Sequence, residues 1–413
     1  MAHLCNDDIL SLIFIDTLQN YPPSLLTLRS VNRTWCNVAG RTPQLWTELV
    51  LKRRSDFIDL EYPKFYLPKS GALPINVDIT LPKDVDVNAI EDVTGLLRDH
   101  ASRFLSFKLC VQSHVELEAF VRLIGGSKPA PFLEELVPTV RQRDRWSNAS
   151  EFVFLPTAFT PSPRLTHISL SGCQMPQTFP HLPTITSLTI DDMDAVDKIA
   201  SCFESTPFLQ DFTFEGYDNA SYLESISSQF ANNPHIVSLP HLLTADVTIG
   251  CGAYLLHAID APELDFLRLD GRILNYWNPE SWEVDVVSRL FSKTIRHLSA
   301  RSRNLKRMTL EYMELDFPLP DYRLILSSAG FPQLEELNLI NTDIDDEALL
   351  AASGGPSTLK RLTLVRCERV TGAGLLGFVR IRRSDFCLTL HRCRYIREKV
   401  IAELSEIVKV HHI

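Results

Sequence analysis

A short hydrophobic pattern that recurs from residue 165 onward constrains the fold of this chain more than any other feature. Each copy places an apolar residue, two variable residues, an apolar residue, one variable residue and a third apolar residue. Alternating apolar and variable positions are typical of a half-buried strand. Several neighbouring copies lie about 20–29 residues apart, which indicates a stack of similar strand-containing units, and the larger gaps mark insertions or an undetected repeat. The copies begin at Leu165, Ile185, Leu209, Leu264, Leu305, Leu334 and Leu359, with looser ones at Val247-x-Ile249 and Leu388-x-Leu390.

Three copies carry a cysteine three residues after the last apolar position. They are Cys173 after Leu170, Cys367 after Leu364 and Cys393 after Leu390. This combination resembles the cysteine-containing leucine-rich repeat. The resemblance implies that each of these cysteines is buried where the chain turns off the strand, and that its role is structural.

Strands and helices are also predicted before the first copy of the pattern. Leu73–Leu81 and Phe104–Leu109 alternate as strands do, and Val85–His100 and Val115–Ile124 have helical patterns. We therefore expect the repeats to run from residue 73 to residue 395. A final helix, Ile396–Val410, has apolar residues on one side and is expected to close the open end of the stack.

The N-terminal stretch, Leu4–Leu49, has a different pattern. Asn6 or Asp7 can cap a first helix, and Pro22-Pro23-Ser24 ends it and begins a second helix. Bulky residues recur at helical spacing, and a short last turn presents Leu45 and Trp46. One interpretation is a small helical cap with a self-contained apolar core.

The same residues resemble an F-box of the F-box-like variant. The match rests on an isoleucine-phenylalanine pair, a valine-x-arginine-x-tryptophan helix and a proline-x-leucine-tryptophan end, and Cys5 stands where the family usually has proline. The resemblance implies docking to a Skp-type adaptor and through it to a cullin. The residues that it implies for adaptor binding are Leu4, Ile9, Ile13, Phe14, Val31, Arg33 and Trp35.

Together these patterns predict an α/β fold with a small N-terminal helical F-box followed by an irregular leucine-rich-repeat solenoid. We expect the helical domain at residues 1–50, a linker at 51–72, the solenoid at 73–395 and the capping helix at 396–413. At 413 residues the chain exceeds a typical single hydrophobic core, so more than one unit is expected.

Composition narrows the possible partners and compartment. The formal charge is −10, from 41 basic and 51 acidic side chains, which argues against a broad nucleic-acid footprint. No signal peptide and no apolar run of about 20 residues are visible, so no membrane association is expected. Nine scattered cysteines, with no Cys-x-x-Cys pair, favour free thiols in a reducing compartment. We expect a cytoplasmic or nuclear protein.

No motif for catalysis is visible in the sequence. A phosphate-binding loop and a Gly-x-Ser-x-Gly elbow are both lacking. His391 and Cys393 could be imagined as metal ligands, but Cys393 occupies the buried position of its repeat and no second ligand pair has metal spacing. We expect no catalytic residue, no metal and no cofactor.

The variable positions of the repeats give a hypothesis about the substrate. Because side chains alternate along a strand, the positions next to the leucines face away from the core, on the expected concave surface. Many of these positions are hydroxylated or acidic. The residues that we expect to bind a protein substrate with a basic face are Asp191, Asp211, Glu215, Asp246, Phe266, Asp270 and Glu311.

An alternative leaves those carboxylates merely solvated. The segment Lys360–Lys399 has eleven basic residues against three acidic ones, and it could instead contact an acidic partner. Most of these basic residues could equally be solvated charges of helices and loops.

The resemblance implies that the chain is the substrate-recognition subunit of a cullin–RING ubiquitin ligase of the SCF type. Such a subunit is not itself an enzyme, because it acts by bringing a substrate lysine near a charged ubiquitin-conjugating enzyme. A second hypothesis is a scaffold that binds the adaptor, or nothing, without directing ubiquitin transfer. A third, a hydrolase hidden in the inserted segments, lacks any motif.

Overall fold

The computed structural model of the chain describes residues 6–20, 25–51, 60–83, 85–124, 128–141, 158–173, 180–191, 196–216, 236–272, 282–313, 319–351, 358–381 and 385–412. The chain divides into two compact units, Met1–Pro176 and Gln177–Ile413. Both units are α/β and both contain parallel strands, as the repeated pattern predicted.

The first unit begins with three helices and a short 3-10 turn. The helices are Asp7–Asn20, Leu25–Ser30 and Arg33–Arg41, and the turn is Pro43–Trp46. The Asn32 side chain caps the third helix by accepting a hydrogen bond of 2.9 Å from the Trp35 amide. The buried side chains that hold these helices together include Leu10, Phe14, Leu28, Val38, Leu45 and Trp46.

Trp46 fixes the end of this helical segment to the following chain. Its ring is 1% exposed, and its Nε1 donates a 2.7 Å hydrogen bond to the Ala39 carbonyl. It packs edge-on against Tyr66 of the helix Glu61–Lys69, with 4.8 Å between ring centroids. Part of the expected linker therefore folds against the helices, while residues 52–59 lie outside the described residues.

Five parallel strands complete the first unit, each paired with the next along the chain. They are β1 (Glu48–Leu51), β2 (Ile75–Thr80), β3 (Phe104–Val111), β4 (Glu135–Val140) and β5 (His167–Ser171). The helices Val87–Arg98 and His114–Ile124 lie where the sequence predicted them. The sequence did not predict β4, because Pro138 stands at a position that is a leucine in most other copies.

The second unit has a parallel sheet whose described strands also pair in chain order. The strands are β6 (Ser187–Asp191), β7 (Asp211–Phe214), β9 (Thr244–Thr248), β11 (Phe266–Asp270), β12 (Arg307–Glu311), β13 (Glu336–Ile340), β14 (Arg361–Val365), β15 (Cys387–His391) and β16 (Lys409–His412); β8 (Val237–Ser238) and β10 (Ile259–Asp260) form a separate pair. The described helices are Val196–Ser205, Cys251–His257, Trp282–Arg301, Leu319–Leu326, Asp346–Ala351, Gly372–Val379 and Glu398–Ser405.

The leucine positions of neighbouring repeats are stacked in register. Leu337 pairs with Leu362, which pairs with Leu388, and Leu339, Leu364 and Leu390 form a second buried row. Each fully buried leucine contributes about 1.5–3 kcal/mol relative to an exposed one. The repeated pattern is therefore the hydrophobic core of the second unit.

The register of β9 differs from the sequence prediction. Ala245 pairs with Leu267 and Val247 pairs with Leu269, and both β9 residues are buried. The copy is therefore Leu242-x-x-Ala245-x-Val247 rather than Val247-x-Ile249, because a small alanine fills the middle apolar position. This places Asp246 at the variable position between the two buried residues.

The C-terminal helix is shorter than predicted. It spans Glu398–Ser405, and the chain then forms β16, which pairs with β15. The backbone N–H and C=O groups of β16 form hydrogen bonds with β15, where a longer helix would have formed them within itself. The prediction that the helix continues to Val410 is therefore wrong, because it ends at Ser405.

A repeated turn follows many of the strands. Gly172, Tyr312, Asn341, Arg366 and Arg392 each come directly after a strand and have φ between 53° and 62°. The residue after each of them is buried, and it is Cys173, Met313, Thr342, Cys367 or Cys393.

The cysteines at this position bond to the preceding strand. Cys367 Sγ donates to the Leu339 carbonyl at 3.4 Å, and Cys393 Sγ donates to the Leu364 carbonyl at 3.6 Å. Burial raises the pKa of the Cys367 thiol to about 11. The prediction that these cysteines are buried is confirmed.

Candidate protein-interaction surfaces

The first three helices expose more large apolar side chains than a self-contained bundle needs. Ile9, Leu12 and Ile13 on the first helix, Leu26 on the second and Val31 after it are 45–66% exposed. Ile9, Leu12 and Ile13 are spaced by three and four residues, so they share one helix face. We use the name N-terminal apolar surface for these five exposed residues, of which the three on the first helix share one face.

The structure distributes the predicted adaptor-binding residues between this surface and the core. Ile9, Ile13 and Val31 belong to the surface, and Arg33 is exposed. Phe14 is fully buried and packs on the half-buried Trp35, with 4.9 Å between ring centroids. Leu4 lies outside the described residues.

Leu12 and Leu26 were not among the residues predicted to bind the adaptor, whereas Phe14, which was, is buried. Successive helical residues point about 100° apart, so Ile13 and Phe14 cannot both be central to one face. Leu12 and Leu26 follow the same helical spacing as the core residues, and spacing alone did not separate core from surface.

The second unit has an open face, which we define by the first, third and fifth residues of its strands. These residues are mostly half-exposed, and the residues between them are buried. Because the strands are in register, equivalent residues lie side by side across the sheet. One such row reads Asp246, Arg268, Thr309, Asn338, Thr363, Thr389 and His411.

Arg268 is the centre of an ion-pair cluster on this face. Its Nη1 donates to both carboxylate oxygens of Asp246, at 3.1 and 2.9 Å. Its Nη2 lies 2.8 Å from Glu311 Oε2 and 3.3 Å from Asp270 Oδ2. Arg272 contacts the same Asp270 oxygen at 2.6 Å.

This cluster changes the meaning of the predicted acidic surface. The fold does bring Asp246, Asp270 and Glu311 together, but two arginines already bind them. The hydrogen bond with Glu311 is the main reason that the pKa of Arg268 is raised, and the bond with Asp270 raises the pKa of Arg272. These three carboxylates therefore hold the strands together and offer little uncompensated charge.

The other predicted substrate-binding residues lie on the same face. Asp191 ends β6 and Asp211 begins β7, where its carboxylate accepts a 2.6 Å hydrogen bond from Thr244 Oγ1. Glu215 follows β7 and is exposed. The Arg307 guanidinium carbon lies over the Phe266 ring, 5.1 Å from the centroid of that ring. Their role in substrate binding stays a prediction.

Opposite charges also alternate between neighbouring strands at their N-terminal ends. Asp265 pairs with Lys306 and Arg307, both at 3.0 Å. Farther along the sheet, Glu335 pairs with Lys360 at 2.7 Å and Glu336 with Arg361 at 2.6 Å.

These pairs shift the carboxylate pKa values of Asp265 and Glu336. Partial burial acts to raise both, but hydrogen bonds from the basic partners outweigh it and hold each pKa below its ordinary value. The partners therefore stay charged at neutral pH, and the pairs link successive strands.

The described residues contain neither a metal-binding cluster nor a helix that could span a membrane. No group of three or more histidine, cysteine, aspartate or glutamate side chains in those ranges could hold a metal ion. No described helix has the length and hydrophobicity needed to cross a bilayer.

Comparison with solved structures gives weak similarities, two of which are described here. The crystal structure of the Rad7–Elc1 complex in yeast matches with a TM-score of 0.40 and 16% identity, covering 97% of this chain and 86% of that one. A crystal structure of a protein from Bacteroides fragilis matches with a TM-score of 0.33 and 12% identity, covering 86% of this chain and 77% of that one. No protein-family profile and no curated protein sequence matches.

Proposed function

We propose that this protein is a non-catalytic substrate-recognition subunit of a cullin–RING ubiquitin ligase of the SCF type. Its N-terminal helices bind a Skp-type adaptor, and its repeats hold a protein substrate. The observation that carries the proposal is the N-terminal apolar surface, on a segment whose sequence resembles an F-box.

Exposing that surface to water costs free energy. Completely burying a large aliphatic side chain contributes about 1.5–3 kcal/mol, and these five are each about half exposed, so part of that stabilisation remains to be gained on association. Exposed apolar side chains that group together on a soluble protein mark interaction sites. A few bulky residues buried at the centre of an interface supply most of its binding energy.

The partner must itself be apolar at the contact. Ile9, Leu12 and Ile13 offer no hydrogen-bonding group, so shape and dispersion would govern the fit. Arg33 is exposed in the same segment and would supply a polar contact at the edge.

The repeats suit a receptor in a different way. Their open face is rigid, because the hydrophobic rows and the ion pairs around Arg268 fix neighbouring strands. A rigid face binds a partner with little loss of conformational freedom. Ubiquitin transfer would then depend on proximity, with no reacting group supplied by this chain.

A scaffold that binds the adaptor without directing ubiquitin transfer has the same apolar surface. The two functions separate when interacting proteins are captured with and without proteasome inhibition. A receptor enriches ubiquitinated partners under inhibition, and depletion of the receptor lengthens their half-lives. Unchanged half-lives of all captured partners would support the scaffold. A cytoplasmic or nuclear location belongs to the same proposal.

A further inference from the structure

Two arginines occupy neighbouring positions at the C-terminal ends of β14 and β15. Val365 pairs with His391 in the sheet, and Arg366 and Arg392 are the next residues on the two strands. The Arg366 amide donates a 2.9 Å hydrogen bond to the His391 carbonyl, which fixes the two turns side by side. Both arginine side chains are exposed.

This pair breaks the charge pattern of the rest of the sheet. At the opposite ends of the strands, Asp265 faces Lys306 and Glu335 faces Lys360, so neighbouring charges attract. Among the described residues, neither Arg366 nor Arg392 forms an ion pair with a carboxylate. Like charges on neighbouring strands repel each other and destabilise the sheet.

The backbone at these two arginines is also unfavourable. Arg366 has φ of 54° and Arg392 has φ of 55°, in the left-handed region. Glycine or asparagine adopts this conformation at lower cost, and the equivalent positions of other repeats are Gly172, Tyr312 and Asn341. Two neighbouring repeats therefore carry arginine where both strain and repulsion disfavour it.

The surroundings extend the positive charge. His391 is half-exposed, Arg397 is exposed, and Arg394 makes a loose 3.5 Å ion pair with Glu368. Positive charge is concentrated here although the whole chain carries a formal charge of −10. We call Arg366, His391, Arg392, Arg394 and Arg397 the basic patch.

From this geometry we propose that the basic patch binds an acidic, carboxylate-rich segment of a partner protein. Negative charge placed between Arg366 and Arg392 would remove the repulsion that the free protein carries. Guanidinium groups form strong, paired hydrogen bonds with carboxylates. The inference rests on the proposed role of the repeats as a substrate-binding surface, and it gives the chemical class of the substrate.

Carboxylates fit this patch better than a single phosphate group does. Phosphate sites commonly use free backbone amides at a helix N-terminus or a tight turn. The Arg366 amide is already bonded to His391, and the charges of the patch are spread over several turns. Spread charges match several separate carboxylates along an extended segment.

Binding to the full-length protein tests the proposal. The probe is a fluorescent peptide with aspartate at alternate positions, followed by fluorescence anisotropy. The double variant Arg366→Asn with Arg392→Asn should weaken binding at least about tenfold, because it removes the charge-assisted bonds. Added salt should weaken wild-type binding by screening. The control Arg303→Gln with Arg380→Gln removes the same charge elsewhere and should leave binding unchanged.

Stability gives a second readout on the same variants. Asparagine accepts the left-handed conformation and carries no charge, so the Arg366→Asn, Arg392→Asn protein should melt at or above the wild-type temperature. If the double variant binds the peptide more weakly but is at least as stable as wild type, the two arginines serve ligand binding and not folding. A clear drop in melting temperature would overturn the inference, because the arginines would then be structural.

Three other results would also contradict it. The aspartate peptide could bind the double variant as tightly as wild type, or an otherwise identical asparagine peptide could bind equally well. Tighter binding of a peptide with one phosphoserine and no aspartate would assign the patch to phosphate instead. Capture of the Skp-type adaptor, measured in parallel, separates failure of this inference from failure of the proposed function.

Discussion

Arg268 Nη1 donates to both carboxylate oxygens of Asp246, at 3.1 and 2.9 Å, across the neighbouring strands β11 and β9. The same guanidinium reaches Glu311 on β12, so one side chain links three repeats. Register explains the contact, because Asp246 and Arg268 are paired positions of the sheet. An apparent row of acidic residues is therefore an ion-pair network.

Replacing Arg268 by Met should destabilise the second unit. The change leaves Asp246, Asp270 and Glu311 without their common partner, and the Asp270 side chain is only 6% exposed. A lost hydrogen bond to a charged group costs about 1.5–3 kcal/mol, so a loss of at least this size is expected in chemical denaturation. Adding Asp246→Asn and Glu311→Gln should recover part of it. Wild-type stability in Arg268→Met would show that the network contributes nothing.

The packing of the helix Gly372–Val379 gives a matched pair of glycine substitutions. A Cβ on Gly374 would clash with Asp346 Oδ1, and that same carboxylate oxygen accepts a 2.7 Å hydrogen bond from the Thr371 amide. Gly374→Ala should therefore lower the melting temperature. Gly95, also helical, has open space around it. Gly95→Ala should stabilise by about 0.5–1 kcal/mol, and the prediction fails if both changes have the same sign.

Native-state thiol labelling should separate the cysteines by burial. Cys173, Cys367 and Cys393 are buried, and burial raises the pKa of Cys367 to about 11, so little reactive thiolate forms at neutral pH. Cys36, Cys110 and Cys387 are half-exposed and should react first. Cys367→Ser should cost about 1–3 kcal/mol for a poorly satisfied buried hydroxyl. Fast labelling of the buried three would contradict the repeat register.

Two neighbouring histidines predict a pH dependence of stability. The ring centroids of His257 and His297 are 4.8 Å apart, and burial, followed by the charges of His297 and Lys293, lowers the pKa of His257 from 6.5 to about 4. Burial is also the main cause that lowers the pKa of His297. The Arg301 charge lowers this pKa further, and the Asp260 charge raises it.

The sign follows from which state binds protons. Between pH 6.5 and about 4 the unfolded chain protonates these histidines first, so the stability present above pH 6.5 falls as the solution is acidified. Between pH 6.5 and about 4, the free energy of unfolding of His257→Leu should fall by about 2–3 kcal/mol less than that of wild type, as measured by chemical denaturation at each pH. Parallel stability curves for variant and wild type would contradict it.

The sequence predicted the strands of the repeats well because each buried row needs a large apolar side chain. The prediction weakened wherever another residue filled that position. Because Pro138 occupies the third apolar position, β4 was not predicted. Because Ala245 is small, the copy in β9 was predicted two residues too late. Pairing with a neighbouring strand decided the last turn of the C-terminal helix, and helical spacing could not show that.

The charge clusters were harder to predict than the strands. The pairing of Arg268 with Asp246 depends on the register between β9 and β11. The copy predicted in β9 was two residues too late, so the sequence did not predict this pairing. Phe14 was predicted to bind the adaptor because of the resemblance to an F-box, and its packing on Trp35 shows that it is a core residue.

The central claim is that the N-terminal apolar surface binds a Skp-type adaptor, and direct titration tests it. Purified full-length protein and adaptor are mixed in a calorimeter, with Ile13→Asp as the variant and Ile381→Asp, equally exposed in the second unit, as the control. A charge buried in an apolar contact is costly, so Ile13→Asp should abolish binding while melting like wild type. Wild type and Ile381→Asp should bind equally. No binding by the wild-type protein, or equal binding by all three proteins, would contradict the account.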